Sequence, residues 1–367
     1  MIKFIWKKLF KKVYFKLTKI FIFFKINLKF LKKNFLSEKN EAQINLYIDI
    51  NENIGRYYYL LIKFFSYTNV NIILSKKINL FFNNRKYNEY IFSIKNIQFK
   101  NYIKKPEKYI YISDQVPIDM KWKHFVKLDY DIFFKKKDFE IPYSMHPMIY
   151  HKNLFMRERL NTERNIDIFF AGGGVEPQYD NEVIGRIYNK LSRKKALNII
   201  KNHFTNQVSI IKKRSELYCN HLNKIVIVEG NNFRIPIEEW LYTLMDANFF
   251  LALPGVLMPQ SHNIIEAMSV GTIPITQYPE FFNPPLKKMY NCIVYKDSED
   301  LIDKIYLALS LKPKDILKIR NNVSEYYSNF LNYKFVSKKI IQNIFKINTL
   351  YYNTEEISLS KISKNYV

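Results

Sequence analysis

Two α/β lobes, each built on a parallel sheet wound by helices, are what this sequence predicts, and three observations predict it. From residue 43 to about 311, short apolar runs alternate with helix-length stretches, the pattern of successive strand–helix–strand units. The chain has 367 residues, more than one small core fills and enough for two lobes of about 150 residues each. The runs IDIFFA and NFFLAL end in Gly172–Gly173–Gly174 and Pro254–Gly255, turn-forming residues at strand ends, where open parallel sheets bind ligands.

Hydrophobic residues make up 48% of the chain and aromatic residues 17%, which supports a folded protein and excludes wholesale disorder. The formal net charge of +25 draws the surface toward phosphates, so anionic lipid, nucleotides and nucleic acid are the partner classes it admits. Cys219 and Cys292 are far apart and lack CxxC or Cys/His spacing. Neither a disulfide framework nor a zinc site is indicated; a reducing compartment is expected, with both thiols as small buried apolar groups.

Residues 1–40 predict a basic amphipathic helix. Lysines stand at 3, 7, 8, 11, 12, 16, 19, 25, 29, 32 and 33, mostly three or four apart, with Ile, Leu and Phe filling the gaps. No apolar run reaches the ~20 residues of a spanning helix, and no small-residue cleavage site follows a short apolar core. The segment is expected to lie peripherally on an anionic membrane at the cytoplasmic face, each basic residue near the surface adding about 1 kcal/mol.

A first α/β lobe is expected over 41–145, from INLYIDI, the helical NIGRYYYLLIKFFSY, VNIILS, YIYISDQ and HFVKLDYDIFF. Residues 146–165, rich in mixed charge without a clean period, read as the interlobe crossover. The second lobe, 166–350, opens on IDIFFAGGG, continues helically to about 220, then passes through IVIVEG, the helix IPIEEWLYTLMDA with acids in its first turn, NFFLALPG, SHNIIEAMSVG, TIPITQ, NCIVYK and a helix from about 298 to 311. No internal repeat is visible. Residues 351–367 read as a frayed tail.

Within PGVLMPQSHNIIEAMSVGTIPI, residues 254–275, Ser261 is an N-cap for a short helix from His262, and Gly271 ends it. The amino end of that helix points toward the carboxyl edge of the sheet, where free N–H groups and the positive helix pole suit phosphate oxygens. His262 and Glu266 are four residues apart on one face. A carboxylate one turn inside is placed to accept hydrogen bonds from two ribose hydroxyls; the plainer reading pairs it with His262 or a lysine on a solvated face.

SHNIIEAMSVGTIPI, a glutamate-bearing helix followed by a small-residue turn and an I-P-I strand, resembles the donor-binding signature of GT-B glycosyltransferases. IDIFFAGGG, an apolar strand ending near F-F-A-G, is similar to the exostosin-like group. The resemblance spans about 166 to 310 and leaves the first 140 residues uncovered. It implies a GT-B fold of two Rossmann-like lobes facing a cleft, acceptor side first, and a nucleotide-sugar donor. Glu266 would then bind the ribose, with Ser261, His262 and Asn263 near the diphosphate or sugar. It further implies inversion without a metal or other cofactor.

Inverting transfer needs a base for the acceptor proton and positive charge for the departing diphosphate. Asp114 in YIYISDQVP, His146 in YSMHPM and Asp49 in LYIDINENIG are the base candidates, in that order, although an Asp after a strand also serves as a turn or cap residue. Among Arg186, Arg193, Lys212, Lys213 and Arg214, Arg214 is favoured for the diphosphate because a guanidinium binds it through parallel bonds. Gly172, Gly173 and Gly174 permit close backbone approach to the donor, but fit neither GxGxxG nor the P-loop. The combined expectation is a membrane-associated transferase acting on a lipopolysaccharide, capsule or other lipid-linked glycan, with no nucleic-acid partner. Alternatives are a basic nucleic-acid-binding protein, disfavoured because the aromatics lie inside apolar runs, and an inactive sugar-nucleotide-binding protein.

Overall fold

The computed structural model describes residues 21–35, 44–77, 80–81, 85–100, 102–118, 121–132, 139–156, 163–174, 176–180, 182–230 and 233–366. Two compact units form: Met1–Asp129 with Ser337–Tyr351, and Tyr130–Val336 with Tyr352–Val367.

In the first unit, strands β1 (Ile44–Asp49), β2 (Val70–Ser75), β3 (Ile97–Lys100), β4 (Ile110–Ser113), β5 (His124–Asp129) and β13 (Thr349–Tyr352) run in the order β3-β2-β1-β4-β5-β13. All the pairs are parallel, with Leu46 beside Ile72 and Ile110, and Leu350 beside Leu128. Leu46, Ile48 and Ile112 are fully buried; a parallel strand covered on both faces reads as a continuous apolar run. The helix Arg56–Phe65 buries every residue except Arg56 and Lys63, which is why NIGRYYYLLIKFFSY carries so few charges.

Residues 21–35 form a helix of the same unit. Phe30 packs on Phe81, Phe92 and Phe99 with centroids 4.9, 5.6 and 4.5 Å away. Asn34 Nδ2 donates to the Phe99 carbonyl at 2.8 Å while its Oδ1 accepts from the Phe99 amide at 2.7 Å. The amide group thus satisfies the outer backbone of edge strand β3, as a neighbouring strand would. The rest of the expected basic helix, residues 1–20 and 36–40, lies outside the described residues.

The second unit holds a parallel sheet of β7 (Ile166–Gly172), β8 (Val208–Ile211), β9 (His221–Glu229), β10 (Ala247–Ala252), β11 (Ile273–Thr276) and β12 (Ile293–Val294), in the order β12-β11-β10-β7-β9-β8; the two-residue β6 (Glu140–Ile141) is instead the last strand of the seven-stranded sheet, after β13. The winding reverses between β7 and β10, the switch point at which such sheets open a ligand crevice. Gly271 ends the helix His262–Ser269 at φ 74°, a left-handed turn that glycine adopts without steric cost.

Four sequence expectations are corrected. The stretch expected to stay helical to about 220 contains β8, whose half-exposed edge position leaves no continuous apolar run to signal it. The crossover expected at 146–165 belongs to the second unit, which begins at Tyr130, and Arg164 is buried there. The second lobe does not run unbroken to 350: residues 337–351 rejoin the first unit because β13 extends its sheet. The tail is no frayed end. Asn353, Thr354, Ser358 and Ile362 are buried, a helix spans Glu356–Tyr366, and Asn353 Nδ2 donates to Gln260 Oε1 at 2.9 Å.

Cys292 is buried, its thiol pushed up to about 12 by desolvation, whereas Cys219 is exposed, contrary to the burial expected of it. A thiol-specific disulfide reagent is therefore expected to titrate one cysteine in the native protein and the second only on unfolding. Two fast-reacting thiols would contradict the burial of Cys292.

Candidate functional site

At the carboxyl edge of the second unit's sheet lies a cavity of about 590 Å³, within the size range of small-molecule sites. Its described lining comes wholly from the second unit: the end of β7 with Tyr179, the β9 end with Gly230, Phe233, Arg234, Ile235 and Ile237, Trp240, the amino end of the His262–Ser269 helix with Glu266, and His146 with Met148.

The β7 end is shaped by its glycines. Gly172 sits at φ +151°, a conformation side-chain-bearing residues rarely adopt, and its carbonyl accepts from Gly230 N at 3.2 Å, joining the β7 and β9 ends. A Cβ on Gly173 would meet the Tyr179 hydroxyl at 2.6 Å, and one on Gly174 would collide with Leu197. Gly172 and Gly173 line the cavity; Gly174 is turned to packing, its amide donating to Glu176 Oε2 at 3.0 Å.

Beneath this loop lies buried Arg193. Its Nε donates to the Pro254 carbonyl at 2.8 Å, its Nη1 to the Gly173 carbonyl at 3.0 Å, and its guanidinium stacks 4.5 Å from the centre of the Tyr179 ring. Desolvation pulls its pKa below the ordinary value, opposed by Tyr179, Tyr278 and Glu176. One side chain thus ties together the loops that follow β7 and β10, the two strands flanking the switch point.

The His262–Ser269 helix is held at both ends. Asn263 Nδ2 reaches the Ala171 carbonyl at 3.2 Å. At the other end Arg164, buried, donates to the carbonyls of Val270 at 2.9 Å and Ala247 at 2.6 Å and to Thr272 Oγ1 at 2.8 Å, a cation at the negative helix pole. Ser261 takes the N-cap position with extended backbone, but its hydroxyl makes no capping bond. The first-turn N–H groups therefore face the cavity mouth without that competitor.

Glu266 is only 1% exposed, so the solvated-face reading of it is ruled out. Its Oε1 accepts from the His146 amide at 2.7 Å and its Oε2 from Trp240 Nε1 at 2.5 Å. Each carboxylate oxygen offers two acceptor directions, the chemistry a ligand hydroxyl needs. The two bonds fix the carboxylate in the cavity wall, a preorganised acceptor.

His146 caps the helix Pro147–Lys152, its Nδ1 accepting from Met148 N at 3.2 Å. A neutral imidazole so bonded carries its proton on Nε2 and acts as a donor there, not as a base. Its ring lies 5.3 Å from that of His262, so His146, His262 and Glu266 converge, as do Gly172, Gly173 and Asn263.

Other sequence candidates are not among the lining residues. Asp114 accepts from the amides of Asn51 and Glu52, each at 2.9 Å, bracing that loop. Asp49 accepts from the Tyr111 hydroxyl at 2.9 Å and pairs with Lys77. Both belong to the first unit. Arg214, expected on the diphosphate, is exposed and paired with Glu239 at 2.5 Å; among the described residues the arginine that lines the cavity is Arg234, its Nε 3.3 Å from the Gly230 carbonyl. Residue type and spacing do not single out the lining residues Trp240, Tyr179, Phe233 and Arg234. Arg234 had a signal, standing just past the IVIVEG strand end; Trp240 had none, since its spacing within the helix reads as core.

The chain matches no family model and no curated protein. Among solved structures it is similar to HepE of Anabaena in complex with UDP, at 10% identity and a TM-score of 0.44 over 83% of this chain and 100% of that one. It is likewise similar to AviGT4, a glycosyltransferase involved in avilamycin A biosynthesis, at 10% identity and a TM-score of 0.40 over 83% and 98%. A third is the N-terminal domain of Candida albicans trehalose-6-phosphate phosphatase, at 10% identity and a TM-score of 0.41 over 84% and 98%. The functional reading rests on the cavity itself.

Proposed function

We propose that this chain is a glycosyltransferase that takes a sugar from a nucleotide-sugar donor and passes it to a hydroxyl of a surface glycan, such as a lipopolysaccharide, capsule or other lipid-linked saccharide. The observation that carries the donor reading is Glu266, a buried carboxylate pinned by Trp240 and His146 one turn inside a helix whose amino end opens on the same cavity. A carboxylate there suits a ribose diol. The helix pole and Arg234, which line the same cavity, suit a diphosphate. Asp114 and Asp49 remain the candidates for the acceptor's base. Inversion, independence from metal and the glycan acceptor rest on the resemblance of residues 166–310 to exostosin-like enzymes.

Thermal unfolding across a panel of nucleoside diphosphates and sugar nucleotides tests the donor site. A matching ligand at about one hundred times its dissociation constant adds about 2.7 kcal/mol. No stabilisation by any member of the panel would end the proposal.

A further inference from the structure

The helix of residues 21–35 has two apolar faces, not one. Ile26 and Phe30, four residues apart, are buried against the first unit. Phe21, Phe24, Leu28, Leu31 and Phe35, at alternating spacings of three and four, fall on a single stripe half a turn away, and they are 67%, 63%, 50%, 62% and 90% exposed. An in-line row of five large apolar side chains in water is a surface made to be covered.

We propose that this stripe is a membrane-binding face that lies in the plane of an anionic bilayer. Charge identifies the occupant. Lys25 and Lys32 run along one side of the stripe and are exposed, and residues 21–35 contain no aspartate or glutamate. A second copy of the helix would offer these lysines no acid, whereas anionic headgroups meet both lysines while the acyl boundary takes the Phe and Leu side chains. The chain's charge of +25 acts in the same direction. A helix with an apolar stripe bordered by lysines lies in the interface plane, and among the described residues no helix is long and apolar enough to cross a membrane. Docking by Phe30 and Asn34 fixes which side of the helix faces out, and attaches the first unit to whatever the stripe binds. The inference is independent of the donor site.

Co-sedimentation of the full chain with vesicles of equimolar phosphatidylcholine and phosphatidylserine tests it. The wild type is expected to bind these vesicles and to bind pure phosphatidylcholine much less. Leu28→Glu with Leu31→Glu, both at exposed positions, is expected to cut binding at least about tenfold while nucleotide-dependent thermal stabilisation is unchanged. A Leu28→Trp variant is expected to show blue-shifted, strengthened emission on adding anionic vesicles. Unchanged vesicle binding by the double variant, or no binding by the wild type, overturns the proposal. So does a wild-type dimer that the double variant converts to a monomer without any vesicle binding, because the stripe would then be a self-interface.

Discussion

Replacing Glu266 by alanine is expected both to abolish nucleotide-induced thermal stabilisation and to lower the melting temperature of the unliganded protein. The second effect follows from the partners of the carboxylate. Without it the amide of His146 and the indole N–H of Trp240 lose their acceptor, and each buried unsatisfied donor costs about 1–3 kcal/mol. The combined loss is roughly 2–6 kcal/mol, worth about 2–4 °C per kcal/mol in a unit of this size. Glu266→Gln separates folding from recognition. Its carbonyl oxygen still receives one of the two N–H groups, so stability falls less, but a ribose diol loses a charged acceptor, worth about 1.5–3 kcal/mol, or ten- to more than a hundredfold in affinity. Calorimetric titration of nucleotide into the Gln variant reads this directly. Wild-type affinity in that variant would remove Glu266 from the donor site, whatever the melting temperature does.

Arg193→Met is expected to be the next most damaging change. Methionine fills much of the space but donates nothing, so the buried carbonyl of Pro254 is left unpaired, at a cost of roughly 1–3 kcal/mol, and the half-buried carbonyl of Gly173 loses its donor as well. Because those carbonyls belong to the loops after β7 and β10, nucleotide affinity is expected to fall about tenfold along with the urea midpoint, since binding must then order what the arginine had ordered. Arg193→Lys keeps the charge but offers one ammonium where a fork of donors had bridged two loops; it should recover part of the stability and little of the affinity. An Arg193→Met protein with unchanged midpoint and affinity would show that other contacts hold the loops. In the sequence Arg193 is one of several cations in a helical region, because nothing local distinguishes an arginine that turns under a loop from one that points to water.

Local chemistry determined a good deal of this protein. Runs such as INLYID, IDIFFAG and ANFFLA read as doubly covered parallel strands because burial on both faces removes the polar alternation. Gly271 ends the helix bearing Glu266 because its φ of 74° favours glycine, and the convergence of His262, Glu266 and the glycine loop follows from where parallel strands end. Tertiary structure alone decided what those residues meet. Glu266 is fixed by Trp240, 26 residues away, and by His146, 120 away, and β13 crosses back to complete a sheet begun some 300 residues earlier. The helix of residues 21–35 divides its apolar side chains between a docked face and an exposed one. Periodicity reports which side chains share a face and how much of it is apolar. Which distant group closes on that face depends on the path of the whole chain, which residue type and spacing do not encode.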